Sequence, residues 1–128
     1  MTDILISIGA NTPDALNMVT DTISWLRQGA DRSLTVTAIT PPYSTPEISG
    51  RYPDYVNALV KATTTVSAET LITLFKQLEQ RAGRTPASKK NGLVPLDIDL
   101  ISYGEEILKP EDFKRSYTTI GLSLLSPI

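Results

Sequence analysis

The sequence contains neither cysteine nor histidine, and these two absences narrow the chemistry available to it. Without cysteine there are no disulfides, thiolate nucleophiles or cysteine metal sites. Without histidine the chain lacks the commonest general base and the commonest transition-metal ligand. Any catalysis must therefore use carboxylates, lysine, arginine, tyrosine, hydroxyl groups or a bound hard cation.

A strong net charge and long apolar runs are also missing. The 128 residues carry 12 Lys+Arg against 14 Asp+Glu, and a net charge of −2 gives no global attraction for nucleic acid or an anionic membrane. No apolar run approaches the length of a membrane-spanning helix, and the N-terminus lacks the basic region of a signal peptide. We expect a single domain over residues 1–128, located in the cytoplasm, with no nucleic-acid or membrane partner.

The hydrophobic pattern predicts elements in the order strand, helix, strand, strand, helix, strand. Thr12 is expected to cap the first helix and Ser67 the second, which should end near Ala82. Strands are expected at residues 4–8, 33–43, 55–62 and 96–104, and residues 120–125 are expected to form a short strand or a final turn. This order is the split βαβ arrangement of a ferredoxin-like α+β sandwich, an antiparallel sheet with helices on one face.

The last long predicted strand carries two carboxylates, Asp97 and Asp99, inside an apolar run. Side chains alternate along a strand, so both carboxylates share one face and the neighbouring aliphatic residues share the other. Two like charges on one face repel each other and are costly to desolvate. A divalent metal bridging to phosphate oxygens would compensate them. The alternative is a solvated face that pairs with Lys89 and Lys90.

Several short motifs follow one another along the chain. They are Ile-Gly-Ala-Asn at 8–11, Tyr-Ser-Thr-Pro at 43–46, Pro-Asp-Tyr-Val-Asn-Ala at 53–58, the helix end at 79–84, and Leu-Asp-Ile-Asp-Leu with Tyr-Gly at 96–104. In this order they resemble the motifs of the 6-hydroxymethyl-7,8-dihydropterin pyrophosphokinases of folate biosynthesis. In that family the enzyme moves a diphosphate from ATP to the hydroxymethyl group of the pterin and releases AMP.

The resemblance implies a role for each matching residue. Asp97 and Asp99 would hold Mg²⁺ against the ATP phosphates and would be the catalytic pair. The remaining matching residues divide into two groups: Thr45, Pro46, Tyr55 and Asn57 for the pterin, and Glu79 and Arg84 for the nucleotide. Lys89 and Lys90 do not belong to a matching motif, and we assign them to the nucleotide because a basic loop would screen the triphosphate.

The residues alone also allow structural roles. Asn57 would then be a buried amide bonded to the backbone, and Tyr55 a packing residue of the sheet. Glu79 would be a charge on the helix surface, and Arg84 would bind the last carbonyls of its helix.

The chain departs from the family pattern in its cationic and aromatic groups. The Arg-Trp-Gly-Pro-Arg-Thr-like run that precedes the aspartate strand is replaced at 90–95, and the downstream histidine of the family has no counterpart. The C-terminal wall of the family also lacks a counterpart before Ile128. Without these groups the rate should fall by orders of magnitude unless Lys89, Lys90, Lys114 or Arg115 substitutes for them, and a lysine cannot form the arginine fork.

Three hypotheses follow for the function. The first is a Mg²⁺- and ATP-dependent diphosphotransferase that acts on a dihydropterin, and the second is a non-catalytic binding protein on the same scaffold. The third is a related transferase that acts on a different alcohol.

Overall fold

One antiparallel sheet organises the computed structural model, which describes residues 1–85 and 92–128. Within these residues the strands are β1 (Thr2–Ala10), β2 (Leu34–Ile39), β3 (Tyr43–Thr45), β4 (Tyr55–Thr64), β5 (Asp97–Tyr103), β6 (Glu106–Ile107) and β7 (Ser126–Pro127). Their order across the sheet is β6-β5-β1-β4-β2-β7, and β3 pairs with β4 beyond the end of β2. The helices are α1 (Ala15–Arg27), α2 (Ala68–Arg81), α3 (Pro110–Lys114) and α4 (Ser116–Leu124). The predicted α+β class, element order and ferredoxin-like arrangement are confirmed.

The core lies between one face of the sheet and the first two helices. Ile6 on β1, Val60 on β4 and Ile98 on β5 meet Leu26 of α1 and Phe75 of α2, and all five side chains are buried. Alternation along each strand directs these residues toward the helices, which leaves the polar positions of the same strands on the other face. This division places Asn57 and the two strand aspartates outside the main core.

The other face of the sheet is partly covered by the C-terminal helices. Leu5, Leu59 and Ile101 form a small second cluster there, against which Phe113 packs. A Cβ at Gly121 of α4 would overlap Leu59 and the Tyr43 hydroxyl, so glycine permits the close approach of this helix. The expectation of a strand or turn at 120–125 is therefore wrong, because residues up to Leu124 continue α4.

Two local predictions need correction and one is confirmed. Asp14, rather than Thr12, occupies the N-cap of α1, and the Thr12 hydroxyl donates to the Asp14 carboxylate over 2.7 Å. The predicted strand over 33–43 is interrupted at residues 40–42 and divides into β2 and β3, because proline cannot donate to a ladder. Ser67 caps α2 as expected, accepting a hydrogen bond from the Thr70 amide.

Candidate functional site

The edge of β5 beside α2 is open along its first residues. The short β6 pairs only with Ser102 and Tyr103, and no other described strand pairs with this edge of β5 at residues 97–100. Glu79 of α2 meets this edge, and its Oε2 accepts a hydrogen bond from the Ile98 amide over 2.9 Å. A side chain thus takes the place of a strand partner for this backbone donor.

Arg84 ties together the end of α2 and the start of β5. Its Nη1 lies 3.0 Å from Glu79 Oε2 and 2.9 Å from Asp97 Oδ1, and it also donates to the Leu96 carbonyl over 3.3 Å. Gly83, with φ of +97°, turns the chain out of α2 immediately before the arginine. The arginine therefore neutralises part of the carboxylate charge at this edge.

Three carboxylates converge at this point. Oxygen atoms of Glu79, Asp97 and Asp99 all lie within 4.8 Å of one another. The Asp99 side chain is 27% exposed, and its nearest described cation is Lys109, whose Nζ lies 3.8 Å from Asp99 Oδ1. An all-oxygen group of carboxylates beside a cleft fits the preference of Mg²⁺ for hard ligands.

The crowding of these acids changes their proton affinity. Burial, together with the neighbouring Asp97 carboxylate, raises the pKa of Asp99 to about 7, although Lys109 opposes the rise. Burial also raises the pKa of Glu79 above its ordinary value, while the Ile98 amide and the Arg84 guanidinium act in the other direction. The cations within reach therefore leave much of the negative charge uncompensated.

Two concave spaces meet at these acids. The first, which we call the edge cleft, has a volume of about 720 Å³ and runs along the open edge of β5 between α2 and α3. The second, which we call the face cavity, has a volume of about 220 Å³ and lies on the sheet face under the start of α4. Asp97 and Asp112 line both spaces, so a molecule in one would adjoin a molecule in the other.

The face cavity brings together all four residues expected to bind the pterin: Thr45, Pro46, Tyr55 and Asn57. The side-chain nitrogen of Asn57, Nδ2, donates to Thr45 Oγ1 over 2.6 Å and lies 3.4 Å from the Tyr43 carbonyl oxygen. A Cβ at Gly9 would lie 3.3 Å from Asn57 Oδ1 and 3.5 Å from Tyr55 Cδ1. Glycine at this position therefore leaves the space that the two side chains occupy.

The edge cleft contains the two described residues expected on the nucleotide side, Glu79 and Arg84. The other two, Lys89 and Lys90, lie outside the described residues. Of the further cations considered as compensation, Arg115 lines the face cavity. Lys114 is exposed and is not among the residues lining either space.

Several residues of the site were not found from the sequence. Lys109, Asp112 and Tyr117 all follow residue 104, where the pattern predicts little regular structure, yet all three line one or both spaces. The Tyr117 hydroxyl donates to Asp112 Oδ1 over 2.9 Å. Residues 109–117 are mostly polar, which is compatible with a binding site but equally typical of a solvated helix.

Asn11 was matched as part of a motif, but its contacts give it a structural role. Its side-chain nitrogen donates to the Gly92 carbonyl over 2.8 Å, and its Oδ1 accepts from the Val94 amide at 2.5 Å. The Asn11 amide itself donates to the Val94 carbonyl. This buried side chain holds the segment that leads into β5, and through it the position of Asp97.

Comparison with known families decides the relationship. Residues 5–127 match the family described as 7,8-dihydro-6-hydroxymethylpterin-pyrophosphokinase (HPPK). The chain belongs to this family. It is also similar to the folate synthesis bifunctional protein of Arabidopsis thaliana, with 24% identity over 104 residues, 80% of this chain. The match spans only 21% of the Arabidopsis protein.

HPPK membership agrees with the resemblance found from the motifs and extends it into the C-terminal helices, since the match continues to residue 127. In the part of the chain that the structure describes, none of the helices combines the length and the apolar character needed to cross a membrane.

Proposed function

We propose that this HPPK family member transfers the terminal diphosphate of ATP to the hydroxymethyl group of a dihydropterin in folate biosynthesis. The observation that carries the proposal is the meeting of the edge cleft and the face cavity at Asp97. A transfer between two substrates requires adjoining pockets with the reacting atoms at the junction. Carboxylates at that junction are suited to hold a cation against phosphate oxygens.

In this proposal the edge cleft takes ATP, and Asp97 and Asp99 provide the metal ligands, with Glu79 beside them. Mg²⁺, when bound, supplies positive charge where negative charge develops between the attacking and leaving oxygens. Arg84 supplies the counter-charge of Asp97 and Glu79 and orients both side chains at the edge of β5. Lys89 and Lys90 remain predicted contacts of the nucleotide.

The face cavity takes the dihydropterin. Thr45 and Asn57 offer polar groups to its edge, while Tyr55 and Pro46 offer flat apolar surfaces. The hydroxymethyl oxygen then attacks the β-phosphorus of ATP, and the bond from that phosphorus to the oxygen bridging it to the α-phosphorus breaks. AMP leaves with that oxygen, and the proton of the alcohol passes to solvent.

Nucleotide binding can be tested separately from turnover. Calorimetry with Mg²⁺ and α,β-methylene ATP, in which the reacting bond cannot break, should show binding to the wild-type chain. The Asp97→Asn variant should lose most of that affinity. If the wild-type chain binds no Mg²⁺-nucleotide, the proposal fails.

A non-catalytic binding protein is the second candidate, favoured by the replaced run at 90–95 and by the lack of histidine. It predicts binding of nucleotide or pterin without formation of AMP. A third candidate, transfer to a different alcohol, predicts AMP formation that depends on an acceptor other than the dihydropterin.

A further inference from the structure

The edge cleft holds more negative than positive side chains among its described lining residues. Its carboxylates are Glu79, Asp97, Asp99 and Asp112, and its cations are Lys76, Arg84 and Lys109. A polyphosphate entering this cleft needs a cation that is free to turn toward it, since the carboxylates would otherwise repel it.

Arg84 is poorly placed to turn. Its Nη1 contacts Glu79, Asp97 and the Leu96 carbonyl, all within 3.3 Å. Turning this guanidinium toward a ligand would break these contacts and leave Glu79, which is 15% exposed, without its counter-charge.

Lys109 is differently held. Its backbone is fixed, because its amide donates to the Ile101 carbonyl and its carbonyl accepts from the Phe113 amide over 2.9 Å. Its ammonium, in contrast, lies 3.8 Å from Asp99 Oδ1 on a half-exposed side chain. That distance is too long for a hydrogen bond, so charge attraction alone favours this position, and such exposed pairs are weak.

We propose that Lys109 is a phosphate-binding residue that pairs with Asp99 until a divalent cation binds the carboxylates, and then turns to the nucleotide phosphates. The inference rests on the proposed function. A dication at Asp99 repels the nearby ammonium and takes over its counter-charge role, while the phosphates offer the ammonium a new partner. The backbone anchor keeps Lys109 beside the cleft in both positions.

The proposal predicts opposite changes in two affinities when Lys109 is neutralised. In Lys109→Gln, Mn²⁺ or Mg²⁺ alone should bind about threefold to tenfold more tightly, because the competing ammonium is gone. The same variant should bind Mg²⁺-α,β-methylene ATP about tenfold or more weakly, because one charge-assisted contact to phosphate is lost. Lys109→Arg should retain both affinities within about threefold, since the charge remains.

The measurements are titration calorimetry with Mg²⁺ alone, electron paramagnetic resonance with Mn²⁺ alone, and calorimetry with the Mg²⁺-nucleotide analogue. Lys114→Gln is the matched control, with the same change of charge at an exposed position outside the lining of both spaces. It should change neither affinity more than about twofold.

Each remaining outcome overturns the proposal. Unchanged affinities in Lys109→Gln would show that the ammonium does not reach the phosphates, and a parallel loss of both affinities would indicate structural damage instead. If the wild-type chain binds the analogue but Lys109→Gln behaves like the control, this inference fails while the proposed function stands. If the wild-type chain binds no analogue, both fail.

Discussion

Arg84 and Asp97 form an ion pair across the junction between α2 and β5, with 2.9 Å between Nη1 and Oδ1. Because Nη1 also lies 3.0 Å from Glu79 Oε2, the arginine joins two of the three converging carboxylates. Arg84 gives both acids a counter-charge in a partly buried place, whereas the cation beside Asp99 is Lys109. Charge compensation in this site is therefore divided between a fixed guanidinium and the half-exposed ammonium of Lys109.

Removing the fixed cation should destabilise the metal-free protein. Arg84→Met leaves Glu79 and Asp97 without their common partner, so we expect the free energy of unfolding to fall by about 1–3 kcal/mol. Mg²⁺ should restore part of this loss, because it supplies the missing positive charge. Urea denaturation with and without Mg²⁺ measures both effects.

Arg81→Met is the control for this variant, since Arg81 is an exposed residue in the last turn of the same helix. Its effect should stay below about 0.5 kcal/mol. Equal stabilities of Arg84→Met and Arg81→Met in metal-free buffer would contradict the role assigned to Arg84.

The pKa of Asp99 predicts how stability changes with pH. Its folded-state pKa of about 7 lies above the unfolded value of about 3.9, so the folded chain binds this proton more tightly. The stabilisation from that proton is fully present below the unfolded pKa and is lost as the pH rises to about 7. Without metal, Asp99→Asn should therefore lose this part of the pH dependence and exceed the wild-type stability at pH about 8.

Urea denaturation between pH about 5 and 8 checks this prediction, with Asp21→Asn on the exposed side of α1 as the control. The control should keep the wild-type slope. A wild-type slope in Asp99→Asn as well would refute the predicted coupling.

Filling the space beside Gly9 should block the face cavity and leave the edge cleft unchanged. A Cβ at this position already lies 3.3 Å from Asn57 Oδ1, and the branched side chain of Gly9→Val would extend into the face cavity. Dihydropterin binding, measured calorimetrically with Mg²⁺-α,β-methylene ATP present, should weaken about tenfold or more, as expected for loss of packing and a polar contact.

The nucleotide analogue itself should bind Gly9→Val within about twofold of wild type, because Gly9 lies outside the lining of the edge cleft. The dihydropterin affinity of Gly9→Ala should lie between those of the wild type and Gly9→Val. Loss of nucleotide binding together with pterin binding would argue against two separable pockets.

Asn11 should matter for stability through its contacts with the segment before β5. Asn11→Ala removes the hydrogen bonds to the Gly92 carbonyl and the Val94 amide, so we expect a loss of about 2–3 kcal/mol in the free energy of unfolding. Asn17→Ala, on the exposed face of α1, should change it by no more than about 0.5 kcal/mol. A similar small change in Asn11→Ala would mean that the segment is held by other contacts.

The aspartate strand could be predicted because its evidence is local. Alternation alone places Asp97 and Asp99 on the same face of a strand, and the same periodicity gives the buried positions of β1 and β4. The cap of α2 could also be predicted, because Ser67 and the residue whose amide it binds, Thr70, are only three positions apart. These features depend on neighbours in the sequence, which the pattern shows directly.

The remaining features depend on tertiary contacts. β-branched residues such as Thr118 and Ile120 favour a strand, but packing of Gly121 against Leu59 holds this segment as a helix. Arg84 contacts Leu96 and Asp97, which lie 12 and 13 residues further along the chain. Lys109 pairs with Asp99 across the turn that follows β5. Hydrophobic periodicity contains no information about such pairs.

Product analysis by ³¹P nuclear magnetic resonance tests the central claim most directly, namely that this chain transfers diphosphate from ATP. The wild-type chain, with Mg²⁺, ATP and 6-hydroxymethyl-7,8-dihydropterin, should form AMP and a pterin diphosphate ester in equal amounts. Asp97→Ala should be folded and slower by about 100-fold or more, because the transfer would lose charge stabilisation of several kcal/mol. Absence of AMP with folded wild-type protein at high concentration, or formation of ADP instead, would contradict the account.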